Sequence, residues 1–394
     1  MPPPPAQHRT LTIIQVFNRY IQASGEERSV ARIADDLESG GHRVHRFWKS
    51  SADWKKPDAP ARWKQPLLLW QNTPVLAELE QLQHESQADL WLLHNVIPVV
   101  SIGIYRVASQ LRTPIIQWLH NYRPTSPGGE LSIQGTPLHP RDPWRTWKEC
   151  LAGTWHGRIL TTWLALGYRR LKAQGHFESV RAWVAVSEQM RSVFQECNWF
   201  PDRLHAVRHS WHSQPVIAPQ PDQGHFLFLG RMVEAKGVRF IVDLWRHPQL
   251  RGKRLIMAGE GPLVDELRNT SPPGVEWVGF VNGEEKDRLL RTCRAVVFPS
   301  LWQEPLSTVA YEAYERCRPI LASKGGGMTE IVMDRSTGRL LQPGNQDEWL
   351  QAIHTLSPEE AATWGEQGRN WLVQNVGADQ WVQAFNHVAQ LSIR

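Results

Sequence analysis

The chain has 394 residues, enough for two domains that each bury a core of their own. Hydrophobic residues make up 41% and charged residues 21%, which excludes collagen-like, coiled-coil and wholly disordered chains. The net charge of +5 is uneven, because residues 1–213 carry 25 Lys and Arg against 18 Asp and Glu (+7) and residues 214–394 carry 19 against 21 (−2). The first half is therefore expected to meet an anionic lipid, phosphorylated acceptor or nucleic acid.

Several features favour a cytoplasmic protein. The longest apolar run, 90–105, is interrupted by His94, Asn95 and Pro98, so no transmembrane helix is predicted. The start at Met1 is followed by four prolines and lacks the apolar segment of a secretory signal. The four cysteines form no CxxC pair, which argues against structural zinc and fits a reducing compartment.

In the first half of the chain, short apolar runs alternate with amphipathic stretches. Val30, Ile33, Ala34 and Leu37 recur at helical spacing after the first run. This alternation predicts βαβ units. The runs predicted as strands are 11–17, 43–47, 67–70, 90–94, 114–120 and 182–186.

A stretch rich in Pro and Gln, 213–224, predicts a linker between residues 1–213 and 214–394. The last helix of the second domain is also a candidate to pack back on the first. The sequence therefore predicts an α/β protein of two doubly wound Rossmann-like domains facing across a cleft, with ligands at the carboxyl ends of the strands. The strands predicted after the linker are 225–230, 254–258, 275–278, 295–299, 320–323 and 338–341.

Residues 141–176 combine basic and aromatic side chains in the first domain. They hold seven Lys and Arg against two acidic residues. Such a mixture suits an anionic membrane surface, and it equally suits a sugar-binding cleft or a solvated basic face with the tryptophans turned inwards. These three interpretations stay open. The tryptophans are Trp144, Trp147, Trp155 and Trp163.

Two cations flank the turn after the first strand of the second domain. Arg231 and Lys236 lie five residues apart, a spacing with which they can bracket a diphosphate, Arg as a fork and Lys as a point charge. Two solvated surface cations are the alternative, because Arg and Lys are mostly exposed.

Two glutamates flank a predicted helix start later in the second domain. Glu304 comes before Pro305 and Glu312 lies within the helix, so one ligand can reach both carboxylates, each of which suits a sugar or ribose diol. A helix N-terminus also attracts phosphate. The alternative is an acid favoured by the helix dipole followed by an exposed Glu. The predicted exposed amides belong to Leu306, Ser307 and Thr308.

These segments, in this order, resemble the GT4 family of retaining glycosyltransferases, which have the GT-B fold. The resemblance spans about residues 11–375 and is strongest in the second domain. The sequences that carry it there are Gly230-Arg231 with Lys236-Gly237, Ala258 to Pro262, Val278 to Val281, Pro299-Ser300, Glu304 with Glu312, and Ala322 to Val332. In the first domain they are Ser24 to Glu27, Asp89 to His94, and His120 to Arg123.

The resemblance implies a role for each matching residue. Arg231 and Lys236 hold the donor diphosphate, Glu312 the ribose and Glu304 the donor sugar. The nucleobase is read through the backbone near Val281. His120 is implied as the active-site histidine of the first domain.

Gly25 is implied to let the loop before the first helix approach the phosphates, because it has no Cβ. Ser24 with Glu27 also fits a capping box, which is compatible with that role. The resemblance further implies a metal-independent reaction without a cofactor, and no Asp-x-Asp pair occurs. His205, His209 and His212 lack the Cys or carboxylate that would complete a metal site.

The function expected is a hexosyltransferase that retains configuration and moves sugar from a nucleotide diphosphate-sugar to a glycan, lipid-linked or other anionic acceptor, as in surface polysaccharide assembly. Contact with a membrane periphery through 141–176 is a further expectation, and no nucleic-acid motif is present. The alternatives are a GT-B epimerase or phosphorylase, or a non-catalytic sugar-nucleotide-binding protein.

Overall fold

A computed structural model describes residues 9–21, 25–214 and 220–393. The described residues fall into two compact units. The first lies within Met1–Gly129, Pro140–Ser210 and Ala378–Arg394, and the second within Glu130–His139 and Trp211–Gly377. Both units are α/β, as the alternating pattern of the sequence predicts.

The first unit is built on a six-stranded parallel sheet. Its strands are β1 (Thr12–Arg19), β2 (Arg43–Ser50), β3 (Leu90–Leu93), β4 (Ile115–Leu119), β7 (Val180–Ala185) and β8 (Leu204–Ala206), and β5 (Ser132–Ile133) and β6 (Thr136–Pro137) form a separate antiparallel hairpin. The strand order is β2-β1-β3-β4-β7-β8. After β1 the chain adds β2 on one side, and β3 and the later strands are added on the other side of β1. The carboxyl ends of β1 and β3 therefore form a topological switch point.

Helices cover this sheet. Val30, Ile33, Ala34 and Leu37 of the first helix are all buried, as their helical spacing predicts. The helices are α1 (Gly25–Ser39), α2 (Gln65–Trp70), α3 (Thr73–Ser86), α4 (Ile104–Leu111), α5 (Arg145–Ala152), α6 (Arg158–Ala173) and α7 (Glu188–Glu196).

The prediction of a strand at 67–70 is wrong, because these residues belong to α2. Pro66 stands in the first turn, where its missing N–H costs the helix nothing. Leu69 is buried whereas Leu67 is exposed, which is the one-sided burial of a surface helix. A four-residue apolar run does not distinguish the two structures by periodicity.

The second unit repeats the architecture, with all six predicted strands present. They are β9 (His225–Leu229), β10 (Arg254–Ala258), β11 (Val275–Gly279), β12 (Cys293–Phe298), β13 (Ile320–Ser323) and β14 (Gly338–Leu341), in the parallel order β11-β10-β9-β12-β13-β14. Two buried apolar clusters pack on the sheet. The switch point lies between β9 and β12, whose carboxyl ends are adjacent.

The helices of this unit are capped by local sequence. Ser357 accepts a hydrogen bond from the Glu360 amide at 3.1 Å, and Pro358 opens the helix that follows. The helices are α8 (Val238–Leu244), α9 (Val264–Thr270), α10 (Gly283–Thr292), α11 (Thr308–Glu315), α12 (Met328–Ile331), α13 (Gln346–Thr355) and α14 (Pro358–Asn375). Short 3₁₀ turns span Ser51–Lys55, His176–Ser179, Pro201–Arg203, Glu234–Lys236 and Pro248–Leu250.

The last helix, α15 (Ala378–Ile393), belongs to the first unit. Its Trp381 ring lies 5.3 Å from that of Trp118 on β4, centroid to centroid. Asn386 hydrogen-bonds the His42 ring at 2.8 Å. Both Trp381 and Asn386 are buried, so α15 is part of the core of this unit.

The hairpin within 130–139 groups with the second unit, whereas the sequence placed it in the first domain. Glu130 accepts a hydrogen bond from Arg231 at 3.4 Å. Gln134 and Gly135 both have positive φ, as a two-residue hairpin turn requires, and Gly135 lies against Glu234. Amino-acid composition does not show that these ten residues leave the first unit for the second, because they are not set apart from their neighbours in the way that the linker rich in Pro and Gln is.

Candidate active site

The switch point of the second unit holds a buried ion pair. Lys236 lies in the turn after β9 and Glu304 in the loop after β12, and the Lys236 amine donates to Glu304 Oε1. Their side chains are 19% and 7% exposed. The sequence named both residues, and strand order brings them together because β9 and β12 are neighbours.

Glu304 is fixed by further contacts on several sides. Ser300 Oγ donates to Glu304 Oε2 at 2.9 Å. The Lys236 ammonium also lies 5.7 Å from the centroid of the Trp302 ring, a cation–π distance. The backbone carbonyl of Glu304 accepts from the Gly327 amide at 2.8 Å. This carboxylate is therefore held in one orientation before any ligand binds.

Glycines allow the loops around this pair to interlock. Gly237, at φ +68°, lies so close to the chain after β12 that a Cβ would be 1.9 Å from the Pro299 carbonyl oxygen. At Gly326, with φ +57°, a Cβ would be 2.0 Å from the Glu304 carbonyl oxygen. Only glycine combines this backbone conformation with such close approach.

A second ion pair lies beside α11. Glu312 on that helix contacts the Lys286 amine on α10 at 2.6 Å. The side chains are 10% and 15% exposed. The sequence predicted Glu312 as a site residue but missed Lys286. Lys286 is one of several charged residues on an amphipathic helix, so nothing in the sequence distinguishes it from the others.

Arg231 is placed differently from Lys236. Its side chain is 68% exposed, and its guanidinium contacts Glu130 at 3.4 Å. An exposed pair of this kind contributes little to stability. Arg231 is therefore free to reorient towards a ligand at small cost.

The helix start differs from the prediction by two residues. The helix begins at Thr308 with Ser307 as its N-cap, so Leu306 and Pro305 lie before the helix. The prediction of Leu306 as a helix N-terminal donor is therefore wrong. The Pro305 carbonyl packs against Gly327, where a Cβ would be 2.2 Å away.

Val281 lies between β11 and α10. Its side chain is buried in the apolar cluster on one face of the sheet. Only its backbone is therefore left for contacts to a ligand.

In the first unit, Gly25 begins α1, the first helix after β1 in the chain. Ser24, predicted to cap this helix with Glu27, lies outside the described residues. Glu26 accepts a hydrogen bond from the Tyr20 hydroxyl at 2.9 Å. Burial raises the pKa of Glu26 to about 7, although Tyr20 and the charge of Arg123 oppose this shift.

His120 follows β4 and belongs to a cluster of three histidine rings. Its Nε2 lies 2.9 Å from Nδ1 of His94, which follows β3. The ring of His209 stacks on it with centroids 5.3 Å apart and an interplanar angle of 13°. Burial lowers the pKa of His120 to about 3 and holds those of His94 and His209 well below 6.5. The three rings are therefore neutral.

The loop after His120 is held by a buried acid. Glu149 Oε1 accepts from Ser126 Oγ at 2.7 Å and from the Gly128 amide at 3.3 Å. Burial raises the pKa of Glu149 to about 6, against the opposing effect of these hydrogen bonds. No motif in the sequence marks this acid beyond its presence in 141–176.

The family model for group 1 glycosyl transferases matches residues 223–358, which contain both ion pairs. The protein is a glycosyltransferase. An uncharacterised glycosyltransferase of Methanocaldococcus jannaschii is 25% identical over 298 residues, 72% of this chain and 68% of that protein. The O-antigen chain mannosyltransferase C of Escherichia coli is 28% identical over 215 residues, 52% of this chain and 57% of that protein.

Solved structures resemble the whole glycosyltransferase. The Anabaena protein HepE in complex with UDP and glucose has a TM-score of 0.64 at 16% identity, over 96% of this chain and 98% of that one. The glycosyltransferase has the GT-B fold, as its sequence motifs predict.

Two structural features are absent from the described residues of this glycosyltransferase. None of its described helices is both long and apolar enough to cross a membrane. Within 9–21, 25–214 and 220–393, no group of three or more His, Cys, Asp or Glu residues is arranged to hold a metal ion.

Proposed function

We propose that this glycosyltransferase is a retaining, metal-independent enzyme of the GT4 type that moves a hexose from a nucleotide diphosphate-sugar to a glycan or lipid-linked acceptor. The observation that carries the proposal is the Lys236–Glu304 pair at the switch point of the second unit. Open α/β sheets bind ligands there, outside the carboxyl ends of the strands.

Each charged group suits one part of such a donor. Lys236 and the reorientable Arg231 suit the diphosphate, and the first amides of α11, from Thr308, add donors at a helix N-terminus. Glu312 suits the ribose diol, because a carboxylate accepts two hydrogen bonds at once. Glu304 suits the hydroxyls of the transferred sugar.

The reaction breaks the bond between the anomeric carbon and the phosphate oxygen and forms one from that carbon to the acceptor oxygen. Negative charge grows on the departing diphosphate, and Lys236 and Arg231 stabilise this charge. Each of the two cations contributes about 3–4 kcal/mol of transition-state stabilisation. The acceptor proton passes to an oxygen of the leaving phosphate on the same face of the sugar. The configuration is then retained without a protein nucleophile.

UDP-glucose is the first donor to test, since HepE was solved with UDP and glucose. A panel of UDP-, GDP- and ADP-sugars should give one donor that raises thermal stability, by about 2.7 kcal/mol at 100 times its Kd. Release of the nucleoside diphosphate in EDTA, together with NMR of the product anomer, tests metal independence and retention. Absence of transfer with every donor and acceptor, or an inverted product, contradicts the proposal.

We also propose that the first unit contacts an anionic membrane surface. Large apolar side chains are exposed on or directly before three neighbouring helices, α2, α5 and α6, with Trp144, which precedes α5, at 66% and Ile159 of α6 at 83%. Basic residues 158, 169, 170 and 172 all lie on α6. Exposed Trp next to cations is the pattern of interfacial docking. Further exposed apolar residues on these helices or close to them in the chain are Trp63, Leu67, Trp147, Leu151 and Leu166.

Sedimentation with vesicles tests this contact. The protein should pellet with vesicles containing anionic lipid, and Trp144→Ser with Trp147→Ser should weaken binding at least tenfold. Val373→Ser, an exposed apolar change on α14, is the matched control and should not alter binding. Absence of binding at low salt contradicts the proposal.

A further inference from the structure

The hydrogen bonds around His120 determine which of its ring nitrogens carries the proton. We propose that Gln15 and His94 hold His120 as the neutral Nδ1–H tautomer, so that its ring offers a hydrogen-bond donor to the substrate. This inference rests on the proposed function and adds to it two positioning residues, Gln15 and His94.

The orientation of the Gln15 side-chain amide is fixed from two sides. The Trp48 indole N–H donates to Gln15 Oε1 at 3.1 Å, and Gln15 Nε2 donates to the Val30 carbonyl at 2.8 Å. An indole N–H can only donate and a carbonyl can only accept. A flipped amide would therefore place its NH₂ group against the indole N–H and its oxygen against the Val30 carbonyl. Gln15 is itself fully buried.

The same Nε2 of Gln15 lies 3.2 Å from Nε2 of His94. Because an amide nitrogen only donates, His94 Nε2 accepts, and the neutral ring carries its proton on Nδ1. That nitrogen is 2.9 Å from His120 Nε2 and must donate to it. His120 Nε2 therefore accepts, and the proton of His120 stands on Nδ1. The fixed orientation of the Gln15 amide therefore determines which atom donates in each hydrogen bond from Gln15 through His94 to His120.

The surroundings also keep His120 uncharged. A proton on its Nε2 would point at the N–H of His94, and the neutral ring of His209 stacks against its face. Burial disfavours the imidazolium form in all three rings. His120 therefore does not act as a charged acid.

The remaining polar atom of His120 is Nδ1. It has no hydrogen-bond partner within the part of the chain that the structure describes. His120 is also half-buried, unlike His94, which is buried. The Nδ1–H group thus suits a sugar hydroxyl or phosphate oxygen, whereas free histidine favours the Nε2–H tautomer in water.

The tautomer can be measured directly by NMR of the full-length protein labelled with ¹⁵N at histidine. Long-range ¹H–¹⁵N spectra, assigned with His120→Ala and His94→Phe, should show a protonated Nδ1 and a bare Nε2 for His120. Gln15→Met keeps the length of the side chain but removes the donor, and should shift His120 towards the Nε2–H form. It should also lower kcat on the order of tenfold, with KM changed less than twofold.

Gln117→Met is the matched control. Gln117 is also buried, on the neighbouring β4, but its amide donates to backbone carbonyls, including that of His94, and not to a ring. It should leave the His120 tautomer unchanged. An Nε2–H form in the native protein overturns the proposal, as does an equal shift in Gln117→Met or no shift in Gln15→Met. The spectrum of the native protein tests the tautomer even where a variant fails to fold. If the native protein has the expected tautomer but no transfer activity, only the proposed function is contradicted.

Discussion

Breaking the Lys236–Glu304 ion pair tests the candidate site most directly. Unit charges about 4 Å apart attract by about 4 kcal/mol at an effective dielectric of about 20. Desolvation offsets part of this attraction, since both side chains are largely buried. We therefore expect a coupling free energy of about 2 kcal/mol between them.

A double-mutant cycle measures that coupling. Lys236→Met and Glu304→Gln should each lower the free energy of unfolding by about 3 kcal/mol, because each leaves a buried partner without its counterpart. The double variant should lose only about 4 kcal/mol. Urea unfolding followed by tryptophan fluorescence provides the free energies.

Activity and a control complete the experiment. Lys236→Met should lower kcat by about 10²–10³-fold, the scale for losing one preorganised charge at a developing anion. The exposed pair Arg254–Glu276 provides the control, and its own cycle should give about 0.5 kcal/mol or less. A coupling below about 0.5 kcal/mol for Lys236 and Glu304, or turnover within about threefold of the native enzyme, would refute the reasoning.

Three further predictions follow from the surroundings of the site. Lys286→Met should raise the Kd for UDP about tenfold by calorimetry, because Glu312 loses the amine that orients it. The folded chain keeps the Glu149 proton to about pH 6, whereas the unfolded chain releases it near pH 4.5. The native protein should therefore lose about 2 kcal/mol of stability as the pH rises from 4.5 to 6, measured by urea unfolding. Glu149→Gln should abolish this loss. Gly326→Ala should cost at least about 2 kcal/mol of stability and most activity, because its Cβ would strike the Glu304 carbonyl.

Each of these predictions has a matched comparison. Lys286→Arg keeps the charge and should keep UDP affinity within about threefold. A stability profile unchanged by Glu149→Gln would contradict its raised pKa. Gly344 also has positive φ but nothing within 4 Å of its Cβ position, so Gly344→Ala should cost only about 1 kcal/mol. Equal effects at Gly326 and Gly344 would contradict the role of close packing.

The sequence predicted the second unit in detail because its information there is local. Each strand is a short apolar run, and residues such as Lys236 and Glu304 directly follow strands that become neighbours. The failure at 67–70 has the opposite cause, since four apolar residues fit either a strand or one turn of helix.

What the sequence could not reveal depends on side chains that meet from distant parts of the chain. Gln15 and His94 are 79 positions apart, and nothing in either segment indicates their contact. Lys286 was likewise missed because its partner, Glu312, comes from another helix. Burial and partners decide the chemistry of such residues, and both arise only on folding.

The placement of α15 has a consequence for how the enzyme can be shortened. Because Trp381 and Asn386 complete the core of the first unit, a chain ending at 377 would uncover Trp118 and leave His42 without its amide partner. The first unit therefore cannot be isolated as one continuous stretch. Producing the first unit by itself would require the terminal helix to be spliced after Ser210.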